Sequence, residues 1–175
     1  MRYKGGFTLI ETLVVLAVAA ILLSVAIPSM RPFVQEQRAR TTAQTFMSDL
    51  VFARGEAARG NTRVTVTAVG GNWANGWTIV RSGMAEPLRS TGPVGGALVM
   101  CATDAALATQ LTYRADGRLV RTGGTLLDAI LVGWHDDPST DSDNRVREIR
   151  INLAGRPEVI EANGRSLVDA AGNPC

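Results

Sequence analysis

The sequence predicts an α+β fold, in which a long N-terminal α-helix packs on an antiparallel β-sheet head. Three observations lead there. An almost unbroken apolar block fills positions 7–27, a helical repeat of small and apolar residues follows it, and from Arg63 onward short alternating segments are separated by glycine-containing turns. The chain divides accordingly into a leader at 1–6, an apolar helix at 7–27, an amphipathic continuation at 28–60 and a β-rich head at 61–175. Its 175 residues leave room for one head domain, and no internal repeat is visible.

The leader is short and basic, Arg2-Tyr3-Lys4-Gly5-Gly6, and the apolar block starts directly after it. As a helix, residues 7–27 would span roughly 31 Å, the hydrocarbon thickness of a bilayer. Arg2 and Lys4 precede the block and no basic cluster follows at once, so the N-terminus stays cytoplasmic and the head crosses the inner membrane, into the periplasm of a Gram-negative cell. An ordinary secretory signal competes with this expectation, because Ser24-Val25-Ala26 offers a small-x-small cleavage site. Against it stands Glu11, a carboxylate five residues into the block, where an ionised acid costs about 2 to 3 kcal/mol. A new amino terminus made by cutting between Gly6 and Phe7 would supply the opposite charge.

Gly6-Phe7-Thr8-Leu9-Ile10-Glu11 resembles the prepilin peptidase site of type IV pilins and type II secretion pseudopilins. The resemblance implies cleavage after Gly6, N-methylation of Phe7, retention of the apolar helix, and pairing of Glu11 with a neighbouring subunit's amino terminus during assembly. It also implies a pilin-like fold, a structural role in a pilus or pseudopilus, in its tip or initiation complex, and a set of partners. These are other pilin or pseudopilin subunits, prepilin peptidase, the inner-membrane assembly platform and membrane lipid. Pro28 sits where pilins often carry a helix-kinking proline, and physically it removes a backbone donor.

Beyond Pro32 the apolar residues become periodic. Ala39, Ala43, Phe46, Leu50, Ala53 and Ala57 fall on one helical face, and Gln37, Arg38, Arg40, Gln44, Ser48 and Glu56 are expected on the other. Gly60-Asn61 supplies a stop, giving one helix over about 7–60. The stretch 53–61, Ala-Arg-Gly-Glu-Ala-Ala-Arg-Gly-Asn, is similar to the helix end of the H-type pseudopilin and FimT/FimU minor-pilin family, with Gly55 as a departure.

Arg63-Val64-Thr65-Val66-Thr67 alternates as a strand, and the segment from Trp73 through Gly76-Trp77 to Val80 leads through a glycine-rich turn into a second. The two tryptophans read as core residues, and in the family just named the second begins a strand packed on the helix. Further strands are expected at 97–101, 110–114, 127–132 and 145–152.

Nothing in the sequence points to catalysis or to a cofactor. His135 is the sole histidine, and there is no phosphate-cradling glycine motif and no Cys-x-x-Cys pair, so neither a catalytic base nor a metal centre is expected. The aspartate-rich string 136–144 holds several oxygen ligands that could take calcium, but it lacks the glycine and closing glutamate of an EF-hand loop, and a solvated acidic loop is the favoured reading. Once Arg2 and Lys4 are set aside from the 18 basic residues, the remainder balances the 16 acids, so no global field draws nucleic acid. DNA stays an alternative partner through Arg145, Arg147, Arg156 and Arg165. Some FimT-like proteins bind it with a Gly-Arg-x-Arg motif, but Gly155-Arg156-Pro157-Glu158 places a glutamate at the second arginine. Two cysteines, Cys101 and Cys175, suit one disulfide in an oxidising compartment; two free thiols or an intermolecular bridge are the alternatives.

Overall fold

The computed structural model describes residues 8–96, 98–120, 128–134, 145–152, 154–162 and 167. The chain forms two units, residues 1–34 and 35–175.

The first unit holds helix α1, Leu9–Ser29, and the start of α2, Arg31–Arg59. Thr8 caps α1, its Oγ1 accepting from the Glu11 amide at 3.3 Å, so that Thr8 and Glu11 stand at the spacing of a capping box. The single helix expected over 7–60 is in fact two, with a turn at Met30. Pro28 lies in the last turn of α1. The break falls just before Pro32, whose ring excludes the hydrogen bond that would run to the Pro28 carbonyl but is tolerated in the first turn of a new helix. Among the described residues no helix is long and apolar enough to cross a membrane. The side chains of α1 are described only over 9–24, about 24 Å of helix, so the span expected at 7–27 runs past them at both ends.

In the second unit α2 ends as the sequence indicates. The Thr62 amide reaches the Ala57 carbonyl at 3.1 Å and the Asn61 amide reaches Ala58 at 3.4 Å, with Asn61 at φ +44°, the bond pair of a Schellman cap. Eight strands follow among the described residues: β1 Val64–Ala68, β2 Trp77–Arg81, β3 Arg89–Thr91, β4 Val99–Ala102, β5 Gln110–Tyr113, β6 Asp128–Trp134, β7 Arg145–Ile151 and β8 Pro157–Glu161. They form two antiparallel sheets, ordered β3-β2-β1-β5 and β4-β6-β7-β8, where the sequence suggested one. Strands β3 and β8 were not foreseen. β3 is three polar residues long, and β8 opens on Pro157 and carries Glu158 and Glu161, which read as turn and surface. Trp73 stands in a 3₁₀ turn, Trp73–Asn75, and not in a strand.

Period-two alternation sends Val64, Val66 and Ala68 of β1 to the core and leaves Thr65 and Thr67 on the far face, where Thr65 and Thr112 share a hydroxyl contact at 2.9 Å. Leu111 and Tyr113 of β5 and Ile130, Val132, Ile149 and Ile151 of the second sheet join the same core. The six small and apolar residues of α2, from Ala39 to Ala57, are all completely buried in it. Phe46 meets Trp73 and Trp77 edge-on, with ring centroids 5.3 and 4.8 Å away. A smaller cluster of Cys101, Leu131, Val146 and Leu167 sits apart from this core.

Phe46→Ala should cost about 3 to 5 kcal/mol in chemical denaturation, whereas Val51→Ala, on the same helix but 52% exposed, should stay within about 0.5 kcal/mol.

Candidate functional site

The sequence places its functional signals at the N-terminus and among the arginines of the head. Gly6 and Phe7 lie outside the described residues. Glu11 is in the first turn of α1 and exposed, where the partial positive charge of the helix N-terminus favours a carboxylate. Around and beyond it, Leu9, Ile10, Leu13, Val14, Val15, Leu16, Val18 and Ile21 to Leu23 are each more than half exposed. So much apolar surface on one helix is of the kind that an interaction covers.

Of the arginines weighed for DNA, Arg147 is buried. Its guanidinium donates to Glu36 at 2.5 Å and pairs with Glu161, so its charge is already neutralised between α2 and β8. The expected face with Arg145 therefore does not form a phosphate stripe at Arg147: β7 is an inner strand, and Val146 to Glu148 are all buried. Arg156 is exposed in the turn before β8. Arg145 is described only as backbone of β7, and Arg165 lies outside the described residues. The acidic string 136–144 also lies outside them. Cys101 is buried and held in a disulfide, while Cys175 lies outside the described residues.

Three carboxylates of α2 tie the helix to the strands, and of these the sequence placed only Glu56, on the polar face. Asp49 is 2% exposed and accepts from the Trp77 indole at 2.8 Å, from the Thr91 hydroxyl at 3.0 Å and from Arg89 at 2.5 Å. The Arg89 guanidinium also lies over the Phe52 ring, 4.2 Å from its centroid. Glu56, placed by helical periodicity on the polar face, is buried and receives both Arg59 and Arg81. Glu36 completes the set through Arg147 and, at 3.8 Å, Arg40. The available signal was position: Asp49 and Glu56 each directly precede a core residue, Leu50 and Ala57. The Arg59 hydrogen bond, joined by that of Arg81 and opposed by burial, holds the Glu56 carboxyl below its ordinary value.

Tyr113 is completely buried and its hydroxyl has no hydrogen-bond partner among the described residues. Burial pushes that hydroxyl well above the usual tyrosine range, so it stays neutral. No group of metal-ligating side chains occurs among the described residues.

A family profile described as type II transport protein GspH matches residues 42–155, from the middle of α2 to the turn before β8. A second, the prokaryotic N-terminal methylation motif, matches residues 1–27. Among solved structures, the type IV minor pilin FimU of Pseudomonas aeruginosa strain PAO1 superposes with a TM-score of 0.57 at 22% identity, covering 76% of this chain and 94% of that one. A second crystal form of FimU gives 0.51 at 23% identity, covering 71% and 93%. The minor pseudopilin EpsH from the type 2 secretion system of Vibrio cholerae gives 0.49 at 12%, covering 71% and 97%. A search of curated proteins finds no match. The FimU superpositions support the helix-on-sheets fold.

Two outcomes follow from the buried polar groups. Because the folded-state value of Glu56 is depressed, its contribution is present in full above the ordinary carboxylate range and is lost as pH falls through the depressed folded-state value. The melting-temperature gap between the parent and Glu56→Gln should thus be constant at neutral pH and narrow in acid, below the ordinary carboxylate range. Tyr113→Phe removes an unpaired buried hydroxyl and should raise stability by about 1 kcal/mol, read from denaturant midpoints at unchanged slope.

Proposed function

The chain belongs to the family of type II transport protein GspH, and from that membership we propose that it is a minor pilin or pseudopilin, a structural subunit that assembles through its N-terminal helix. One observation carries the proposal: a methylation motif over 1–27 and a head of this family over 42–155 occur in the same chain. The fold serves the role. A helix with an exposed apolar surface and a carboxylate in its first turn precedes a head whose own core is closed by α2.

In this scheme prepilin peptidase cuts between Gly6 and Phe7, and Phe7 is methylated. Residues 7–27, apolar but for Glu11 and its polar neighbours, hold the precursor in the inner membrane with the N-terminus cytoplasmic and the head periplasmic. A carboxylate in lipid is tolerated when it is paired. On leaving the bilayer, Glu11 finds its counter-charge in the free amino terminus of an adjacent subunit, and the apolar face exchanges lipid for other helices. Pro28 lies in the last turn of α1 and the turn at Met30 separates that helix from the start of α2. The subunit works at the tip or in the initiation complex of a pilus or pseudopilus, where the assembly platform handles it. In the periplasm Cys101 pairs with Cys175, closing a loop worth roughly 4 kcal/mol by chain entropy.

Mass and N-terminal sequence of the protein recovered from membranes, with and without prepilin peptidase, test the scheme. A methylated Phe7 terminus that depends on the peptidase is expected. A start near Ile27 and no membrane retention would identify a secreted protein with a disposable signal instead.

A further inference from the structure

We infer that Arg54, Arg114, Arg118 and Arg156 together form a docking site for an acidic segment of a neighbouring subunit. The inference rests on the filament-subunit reading above. Arg54, the turn that carries Arg114 and Arg118, and Arg156 are far apart in sequence and are brought together by two turns and a helix. The turn after β5 is closed by the Gly117 amide on the Arg114 carbonyl and by the Arg114 amide on the Arg118 carbonyl, both at 2.8 Å. The turn between β7 and β8 is closed by Asn152, whose carbonyl takes the Gly155 amide at 2.8 Å and whose side chain takes the Arg156 amide at 3.0 Å.

Glycines let these turns touch. Gly117 and Gly155 both have φ near +75°, a conformation other residues adopt with strain. A Cβ at Gly155 would overlap the Gly117 carbonyl and come within 3.3 Å of the Arg118 Cα, and one at Gly117 would lie 3.2 Å from the Arg54 Nε. The Arg54 Nε donates to the Gly117 carbonyl at 2.9 Å, which fixes that side chain against the turn. Arg118 and Arg156 are exposed, and neither is within ion-pair distance of a carboxylate among the described residues. Asp116, an acid at the cluster, stands 3.7 Å from Arg114, with both side chains about half exposed. A pair of that kind contributes little and yields readily to a competitor.

The chemistry selects carboxylates. Arginine presents a planar fork of donors that matches a carboxylate two bonds at a time, and it is enriched where protein surfaces meet. The cluster is compact, bounded by two tight turns, whereas a nucleic-acid backbone calls for cations strung along a groove. Arg147, which would have extended the cluster along β7, is buried and neutralised by Glu36 and Glu161.

The test uses the full chain in neutral detergent, titrated with a fluorescent hexaglutamate peptide and, separately, with a DNA oligonucleotide. The peptide should bind with an affinity that falls as salt rises, and Arg118→Gln combined with Arg156→Gln should weaken it about tenfold. Arg63→Gln, at an exposed arginine just before β1, should leave it unchanged. Both cluster positions are exposed, so an unaltered melting curve establishes that the double variant folds. Absence of peptide binding by the parent chain, equal binding by the double variant, or a preference for DNA would overturn the inference. Such a failure with peptidase-dependent processing intact removes the docking site alone, whereas failed processing removes the subunit reading itself.

Discussion

The head depends on one face of α2. Six residues of that face, four of them alanines, are completely buried in a core that takes side chains from both sheets. Alanine keeps the helix surface low, so strands can approach at Ala39 and Ala43 on one side and at Ala53 and Ala57 on the other. Phe46 and Leu50 supply the volume between them, each worth about 1.5 to 3 kcal/mol on burial. The sheets themselves are short and four-stranded. Each presents an apolar face that only a third element can cover, and α2 covers both. Loss of packing at Phe46 would therefore reach Trp73 and Trp77 directly and both sheets through them.

A smooth apolar face does not by itself fix how a helix lies on a sheet, because sliding by one turn brings similar residues into contact. Here the carboxylates of α2 supply the missing register. Asp49 is held by β2 and β3, Glu56 by β2 and by its own helix, and Glu36 by β7. Such pairs give little net stability, since desolvation offsets much of the attraction. Their geometry is specific, however. A helix displaced by one turn would leave a buried Asp49 facing no donor, at the cost of several kcal/mol.

This division of labour explains what the sequence disclosed. The stripe on α2, the helix stop at Asn61, the β1–β2 pairing and the burial of both tryptophans are local or periodic features, and each could be read from residue order. The number of sheets could not be read in that way. Whether β5 joins β1 or β6 is decided by tertiary packing, and β3 and β8 exist because a neighbouring strand offers hydrogen bonds to segments with little strand character of their own. Glu56 was misplaced for a related reason. Helical periodicity gives the centre of a face but not its width, and two sheets under one helix bury more of its circumference than one sheet would. At the N-terminus the sequence spoke most specifically, because a carboxylate at a fixed distance from a glycine in an apolar run has few physical uses.

The same widening of the buried arc bears on where this subunit can meet others. With Asp49, Glu56 and Glu36 committed inward and Arg147 neutralised beside them, much of the charge near the helix is spent inside the head. The positive charge left at the surface near the turns of β5 and β8 is then a local excess in a chain whose charge, leader aside, balances to zero. The buried acids Asp49 and Glu56 account for part of that balance. A local excess on one face favours directed, heterologous contacts over symmetric pairing. Directed contacts are what a filament with a defined end requires.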